Sequence, residues 1–415
     1  MTAKVQGIRG MEDVLPDHTA LWQKFEDATR RVFELYGYSN IRTPIVEPTA
    51  LFVRGLGQVT DIVEKEMYTF EDRNGESLSL RPEATAGIVR SAIEHNFLYN
   101  GPMRVWTVGP MFRYERPQKG RQREFHQFDV EALGFEGPDV DAEQIVMLAR
   151  LWGAVGIPGV ELHINSIGDA PERKAHRAKL VAYFEAHRSQ LDEDSQRRLA
   201  TNPLRILDSK NPAMQSMIEG APRLIDQLGE AAAEHFAGLR ALLDAAGVAY
   251  EVNPRLVRGL DYYNRSVFEF VSGDIGAQST IAGGGRYDAL FAELGGKPTP
   301  ACGFGMGIER AVLAMQAAKV EAQSGPDAFV VHAGEGAEVM AWRISEQMRD
   351  AGLAVVLGAG GSFKAQMKKA DASGARFAVI LGDAEVQSGQ VSLKPLRSEG
   401  SQQLLPLAEA INEMR

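Results

Sequence analysis

The chain is 415 residues long, 44% hydrophobic and formally charged −10, so it can bury more than one core. Its acidic balance argues against indiscriminate nucleic-acid binding, while leaving room for local cationic surface such as Arg116 to Arg123 or Lys364, Lys368 and Lys369. One cysteine, Cys302, excludes an intrachain disulfide framework and fits a reducing cytosol; with no Cys cluster and no H-E-x-x-H among eight histidines, no zinc site is expected.

The opening Met1 to Gly10 is polar and carries no signal segment, and no apolar run approaches the roughly 20 residues that span a bilayer. Pro16-Asp17 opens a helical pattern with Trp22, Phe25, Phe33 and Tyr36 at near-helical spacing, and Gly37 stops it. Ile41 to Glu47 reads as a strand; Pro44 cannot donate to a ladder, which predicts an edge or interface position. Strands are expected at Ser77 to Leu80 and Arg104 to Val108, with a helix over Ala84 to His95 between them.

Two further strand-like segments, Phe112 to Glu115 and Glu124 to Glu131, flank the basic run Arg116 to Arg123, which holds Pro117 and Gly120 and reads as a loop. Alternation puts Arg113 and Glu115 on one side of the first segment. It puts Phe125, Gln127, Asp129 and Glu131 on one side of the second, leaving Phe128, Val130 and Ala132 for a core. A polar sheet face is ordinarily just solvated, but the cationic loop beside this one makes it a candidate ligand face.

Residues from about 170 to 250, rich in Ala, Leu, Glu, Arg and Gln with helical periodicity, read as a helical insertion. Strands return at Ser266 to Val271 and Ser279 to Ala282. In Ala301 to Arg310, Gly303, Gly305 and Gly307 clear one strand face, so that a flat ligand can lie on the backbone, although tight helix-on-sheet packing would need the same glycines. Helical residues Ala311 to Ala317 follow, placing Arg310 near a helix N-terminus, where backbone N–H groups favour phosphate. Neither a complete G-x-G-x-x-G nor a P-loop is present.

Val320 to Pro326 is polar and reads as a linker. Beyond it, strands at Ala328 to Val331, Ala354 to Leu357, Phe377 to Leu381 and Val391 to Leu393 alternate with helices near Ala337 to Ala351, Phe363 to Ala372 and Leu405 to Met414, a small α/β pattern. Gly358 to Ser362 is a strand-to-helix turn, with phosphate cradling the alternative. Adjacent strands joined by short loops predict a mostly antiparallel sheet with flanking helices over 1–325, an α+β class, followed by an α/β domain over 326–415.

Phe112 to Glu131 and Ala301 to Arg310 together resemble motifs 2 and 3 of the class II aminoacyl-tRNA synthetases. Leu80-Arg81-Pro82-Glu83-Ala84-Thr85-Ala86, Leu256-Val257-Arg258-Gly259-Leu260-Asp261-Tyr262-Tyr263 and Ala282-Gly283-Gly284-Gly285-Arg286-Tyr287-Asp288 narrow the resemblance to the histidyl-tRNA synthetases. It runs from Gly7-Ile8-Arg9-Gly10-Met11 into the C-terminal domain, which would hold the tRNA anticodon region. Ile41 to Glu47 stands where the family has motif 1, implying a homodimer. The resemblance implies a cytoplasmic ligase without a membrane partner, which activates histidine with ATP, its Mg²⁺ carried by the nucleotide, and passes the histidyl group to tRNA(His).

In the same terms, Arg113 meets the α-phosphate and the attacking carboxylate, and Arg258 approaches from the other side; a guanidinium fork binds phosphate bidentately and stays charged. Glu115 takes the adenine amino group, Phe125 and Arg310 the two faces of the ring, and Arg121 the outer phosphates. Glu83, Thr85 and Gln127 accept from the α-ammonium. A neutral imidazole needs an acceptor and a donor at its two ends, which Glu131 and Tyr263 supply, with Tyr262 and Tyr287 nearby. Ala84 stands where the family often has glycine, and no editing domain is evident. A rival resemblance is to the non-catalytic regulatory subunit of ATP phosphoribosyltransferase, which shares the core but usually lacks the C-terminal domain and has degraded motifs. Arg113, Arg258, Arg310, Glu83 and Glu131 are all retained here.

Overall fold

Residues 4–57, 60–201, 203–207, 209, 211–260, 262–275, 279–322 and 325–415 are described by the computed structural model. Asp261 of the Leu256 to Tyr263 run, and Gln323 and Ser324 of the expected linker, lie outside them. The chain divides into two compact units, Met1–Glu321 and Ala322–Arg415.

In the first unit the strands are β1 Ser39–Asn40, β2 Val46–Pro48, β3 Thr69–Glu71, β4 Ser77–Leu80, β5 Met103–Phe112, β6 Glu124–Leu133, β7 Val160–Ser166, β8 Glu251–Val252, β9 Asn264–Ser272, β10 Thr280–Arg286 and β11 Ala301–Gly307. Among the described residues they form an eight-stranded sheet, β1-β5-β6-β11-β10-β9-β7-β8, and a three-stranded sheet, β2-β4-β3. Pairing is antiparallel except where the short β1 and β8 join β5 and β7 in parallel.

The Ile41 to Glu47 strand is not continuous. Ser39 and Asn40 pair with β5, whereas Val46 to Pro48 pair with β4 in the other sheet. Pro44 lies in the crossing between them, where the missing N–H costs no ladder bond. Nor is Phe112 to Glu115 a strand of its own. It is the end of β5, which absorbs Arg104 to Val108 and stops at Phe112, leaving Arg113 to Glu115 in the connection to β6. Strand alternation therefore does not set the direction of Arg113 or Glu115.

The large sheet has two unlike faces. Helix Pro16–Leu35 buries Phe25, Thr29, Val32 and Phe33, spaced as one helical stripe, on the face carrying Phe128 and Phe304. Phe33 meets Phe128 and Phe304 with ring centroids 5.8 and 6.2 Å apart. Helices Pro138–Val155 and Glu230–Ala245 extend this core. Helix Thr85–Glu94 belongs to a second core on the opposite face, with Val105, Met111 and the side chains of Tyr262, Tyr263 and Tyr287.

The expected insertion is helical: Ala170–Ala186, which starts on a capping box of Asp169 and Glu172, then Glu193–Thr201, Gln215–Glu219 and Glu230–Ala245. Leu180, Phe184, Ile206, Met214 and Ile218 give it a core of its own.

The second unit has strands β12 Ala328–His332, β13 Val355–Leu357, β14 Phe377–Leu381, β15 Val391–Pro395 and β16 Gln403–Leu405 in the order β13-β12-β14-β15-β16. The first three are parallel and the last two antiparallel. Its helices are Ala337–Asp350, Phe363–Ala372, Asp383–Ser388 and Leu407–Met414. β16 and Asp383–Ser388 have too few residues to set up a period. Leu405, expected to open the last helix, ends β16, and Pro406 caps the helix instead. Ser362 ends the Gly358 to Ser362 turn as an N-cap, its hydroxyl accepting from the Ala365 N–H at 3.4 Å.

Candidate active site

Strand register builds the site. Across β5, β6, β11, β10 and β9, one row runs Thr107, Asp129, Gly305, Gly283, Glu269. The next runs Val105, Glu131, Gly303, Gly285, Val267. Both rows face away from the Phe128 core, so carboxyl groups flank a floor of glycine backbone. Above it opens a cavity of about 330 Å³.

Each glycine answers to a particular neighbour. A Cβ on Gly303 would overlap the Glu131 carboxylate, and one on Gly305 would come within 3.0 Å of Asp129 Oδ1 and 3.3 Å of Gln127 Nε2. At Gly283 it would stand 2.6 Å from Arg258 Nη1. Tight backbone packing alone does not account for Gly303, Gly305 and Gly283, because what they admit are charged side chains.

The acidic end is held by helix Thr85–Glu94. Glu83 caps it, Oε2 accepting from Thr85 N at 2.8 Å and Oε1 from Ala86 N at 3.0 Å. Thr85 Oγ1 donates to Glu131 Oε1 at 2.7 Å, and the Tyr287 hydroxyl donates to Glu131 Oε2. Burial pushes the carboxyl groups of both Glu83 and Glu131 above the ordinary range. Burial, together with the Glu83 charge, takes Asp129 up to about 8, against the opposing pull of Arg81 and Arg113. Tyr262 packs on Tyr263 and Tyr287 with centroids 4.7 and 5.5 Å apart.

The basic end is fixed through backbone carbonyls. Arg113 Nε donates to Pro82 O at 2.9 Å, and its guanidinium lies 5.2 Å from the centre of the Phe125 ring. Arg310, in the first turn of helix Ile308–Ala317, donates to Gly120 O and Thr280 O, both at 2.8 Å. Its pKa is lowered, first by burial and then by the charges of Arg121 and Arg113. Such repulsion among gathered cations marks a site for a polyanion. Arg121 is ion-paired with Glu115. Arg258 donates to Glu269 and lies 5.7 Å from the centre of the Tyr263 ring.

Of the residues singled out in the sequence, Glu83, Thr85, Arg113, Glu115, Arg121, Phe125, Gln127, Arg258, Tyr262, Tyr263 and Arg310 line this one cavity. Ala84, Glu131 and Tyr287 are buried behind its wall. Sequence reasoning gave no part to Asp129, Glu269 or Arg205, which also line it. The first two left a trace: Asp129 shares its strand face with Gln127, and Glu269 is a lone charge between Phe268 and Phe270. Arg205 left none. It comes from a turn of the insertion, Pro203–Ile206, and donates to Gly259 O at 3.1 Å across 54 residues of chain.

The mostly antiparallel sheet and the helices that flank it have the architecture of the class II aminoacyl-tRNA synthetases. Comparison with known proteins narrows the class. The histidyl-tRNA synthetase family profile matches residues 10–311, and the profile described as an anticodon binding domain matches 327–415. A histidine–tRNA ligase of Methylobacillus flagellatus is 58% identical over 417 residues, covering 100% of both chains. The crystal structure of apo S. aureus histidyl-tRNA synthetase superposes with a TM-score of 0.80 at 34% identity, covering 99% of this chain and 100% of that one. A Bacillus halodurans protein described as an ATP phosphoribosyltransferase regulatory subunit/histidyl-tRNA synthetase, 22% identical over 92% of this chain and 99% of its own, shares the fold at a TM-score of 0.66. The chain belongs to the histidyl-tRNA synthetase family. Among the described residues no helix is long and apolar enough to cross a membrane.

Proposed function

We propose that the chain joins L-histidine to the 3′ end of tRNA(His) in two steps within this cavity. In the first, a histidine carboxylate oxygen bonds to the α-phosphorus of ATP as the bond to the bridging oxygen breaks, giving histidyl-adenylate and pyrophosphate. In the second, a hydroxyl of the terminal ribose attacks the histidyl carbonyl and AMP leaves. The observation that carries this reading is the division of charge in one cavity, with Arg113, Arg121 and Arg310 at one end and Glu83 and Asp129 at the other, backed by the buried Glu131 behind the wall.

Two anionic groups must approach one another in the first step, so fixed positive charge and in-line placement do most of the work. Arg113, anchored on Pro82 O, serves the α-phosphate and the attacking carboxylate, and Arg258, held by Glu269 over Gly283, serves them from the opposite side. Phe125 and Arg310 sandwich the adenine ring, Glu115 accepts from its amino group, and Arg121 turns from Glu115 to the outer phosphates. Magnesium would be carried by ATP as counter-charge on those phosphates. Among the described residues no group of three or more His, Cys, Asp or Glu is placed to hold a metal unaided. The nucleotide would supply most of its oxygen ligands, since the wall carboxylates Glu269 and Glu309 are bonded to Arg258 and Thr280 and to His126.

Glu83, the Thr85 hydroxyl and Gln127 receive the α-ammonium. Glu131, with lone pairs left after Thr85 and Tyr287, takes the imidazole N–H, and the Tyr263 hydroxyl donates to the other ring nitrogen, with Tyr262 and Tyr287 closing the pocket around Ala84. A wrong amino acid would leave these buried groups unpaired, typically a factor of about 10⁴ to 10⁵ in rate, so editing is not needed. The chain works in the cytoplasm as a homodimer through the Ile41 to Glu47 segment, where Ile45 and Val46 are exposed. Its second unit holds the anticodon region of tRNA, Lys364, Lys368 and Lys369 of helix Phe363–Ala372 offering exposed charge to phosphates.

Histidine-dependent ATP–pyrophosphate exchange followed by charging of purified tRNA tests the whole proposal. A regulatory subunit would support neither. A catalytic domain of 1–325 and a tRNA-binding domain of 326–415 are tested by a chain ending near Gly325, which should keep exchange and lose most charging; equal charging by both chains would count against the second domain's role.

A further inference from the structure

Asp129 stands on β6 between Gln127 and Glu131 and lines the cavity, yet it is only 3% exposed. Its Oδ2 is buried and has no hydrogen-bond partner among the described residues. An acceptor left in that state is costly, and more so if it is charged. No side chain stands opposite it on β11, because that position is Gly305, where even a Cβ would crowd Oδ1 at 3.0 Å.

Its charged surroundings come from every neighbouring element. Glu83 and Arg81 approach from the end of β4, Arg113 from the end of β5, and Glu131 from β6 itself. Arg81 is committed to Pro110 O at 2.9 Å and to Thr43 O at 3.3 Å, and Arg113 to Pro82 O at 2.9 Å. Glu83 spends its oxygens on backbone N–H groups. Neither Asp129 nor Glu83 is hydrogen-bonded to a cation among the described residues, so two buried carboxyl groups share a wall with uncompensated acceptor capacity.

We propose that Asp129 is a further contact for the α-ammonium of histidine, acting with Glu83 and Gln127, an assignment that rests on the histidine pocket described above. The bound amino acid brings the donor that Oδ2 lacks, and with it a cation in direct contact, which neither Arg81 nor Arg113 supplies. With its carboxyl pushed up to about 8, Asp129 is largely protonated near neutrality, and an ammonium beside it favours the ionised form. Binding histidine then releases a proton from this group.

The test is Asp129→Asn in the full-length protein, followed by ATP–pyrophosphate exchange. The KM for histidine should rise roughly 10- to 100-fold, the loss expected for a charged hydrogen bond, with the KM for ATP unchanged. Imidazole-4-propionate, which has the ring and carboxylate but no ammonium, is the control: its inhibition constant should be the same for both proteins. Equal weakening of histidine and this analogue, or a histidine KM within twofold of the original, overturns the assignment. Glu83→Gln separates the two levels. A histidine effect there and none at Asp129 overturns Asp129 alone, whereas no effect at either shows that the amino acid binds elsewhere. If Asp129→Asn does not fold, calorimetry of Glu83→Gln in two buffers of different ionisation enthalpy decides, because it removes the other raised carboxyl at the ammonium: more proton release with histidine than with the analogue near pH 7 is expected, and equal release with both, or none with either, overturns it.

Discussion

The two ends of the cavity are built on opposite principles. At the acidic end, Glu83, Asp129 and Glu131 sit on or against regular structure and are desolvated; Glu83 and Glu131 are bonded to neighbouring protein groups, and all three are held toward their neutral forms. At the basic end, Arg113 and Arg121 belong to the β5–β6 connection, and Arg113 and Arg310 are fixed by donating to the main-chain oxygens of Pro82, Gly120 and Thr280. Buried carboxyl groups discriminate, because a ligand that fails to pair them pays the full desolvation cost. Partly solvated guanidinium groups attract and neutralise anions without that penalty, and stay charged while the anion's charge moves.

The sharpest way to break that contrast is at its boundary. Arg258→Ala removes the cation that lies between the two ends over Gly283, and adenylate formation should fall about 10² to 10³-fold while the protein remains folded. Pre-steady-state adenylation within a few-fold of the original would mean that Arg258 serves Glu269 rather than the reaction. Glu131→Gln comes next. It should weaken histidine by about 2 to 4 kcal/mol and leave ATP alone, since an amide accepts more weakly and presents a donor toward Thr85 or Tyr287. A change in KM confined to ATP would move Glu131 out of the acidic end's function.

Arg121→Ala probes the other end. Its side chain is 41% exposed, so its loss should raise the KM for ATP by only about three- to tenfold, with histidine unaffected. An effect as large as that of Arg258→Ala would show that the basic end is not the solvated clamp described here. The smallest expected effect is on stability. Asp129 has a folded-state pKa raised from the ordinary 3.8 to about 8. Its favourable contribution is therefore fully present below about pH 4 and is lost as pH rises toward 8. The Tm of the ligand-free protein should fall between pH 6 and 9, and Asp129→Asn should remove about 2–4 °C of that fall. Parallel Tm profiles for the two proteins would mean that Asp129 is not desolvated.

What the sequence determined by itself is whatever depends on local period and local chemistry. The stripe of Phe25 and Phe33 specifies the first helix, and the alternation from Phe125 to Glu131 separates the ligand face of β6 from its core face, because side-chain direction repeats every 3.6 residues in a helix and every two in a strand. The glycines at 303, 305 and 307 were visible in the same way. The tertiary structure alone decided which residues those periods meet. That Gly303 yields to Glu131 and Gly283 to Arg258, that the strand around Pro44 splits between two sheets, and that the strand leading to Arg113 ends at Phe112 all depend on register between segments far apart in the chain. Arg205 reaching Gly259 from the insertion is the extreme case. Pairing register is set by the summed packing of whole faces, and a one-residue slip would send every side chain to the other side, so no local window contains it.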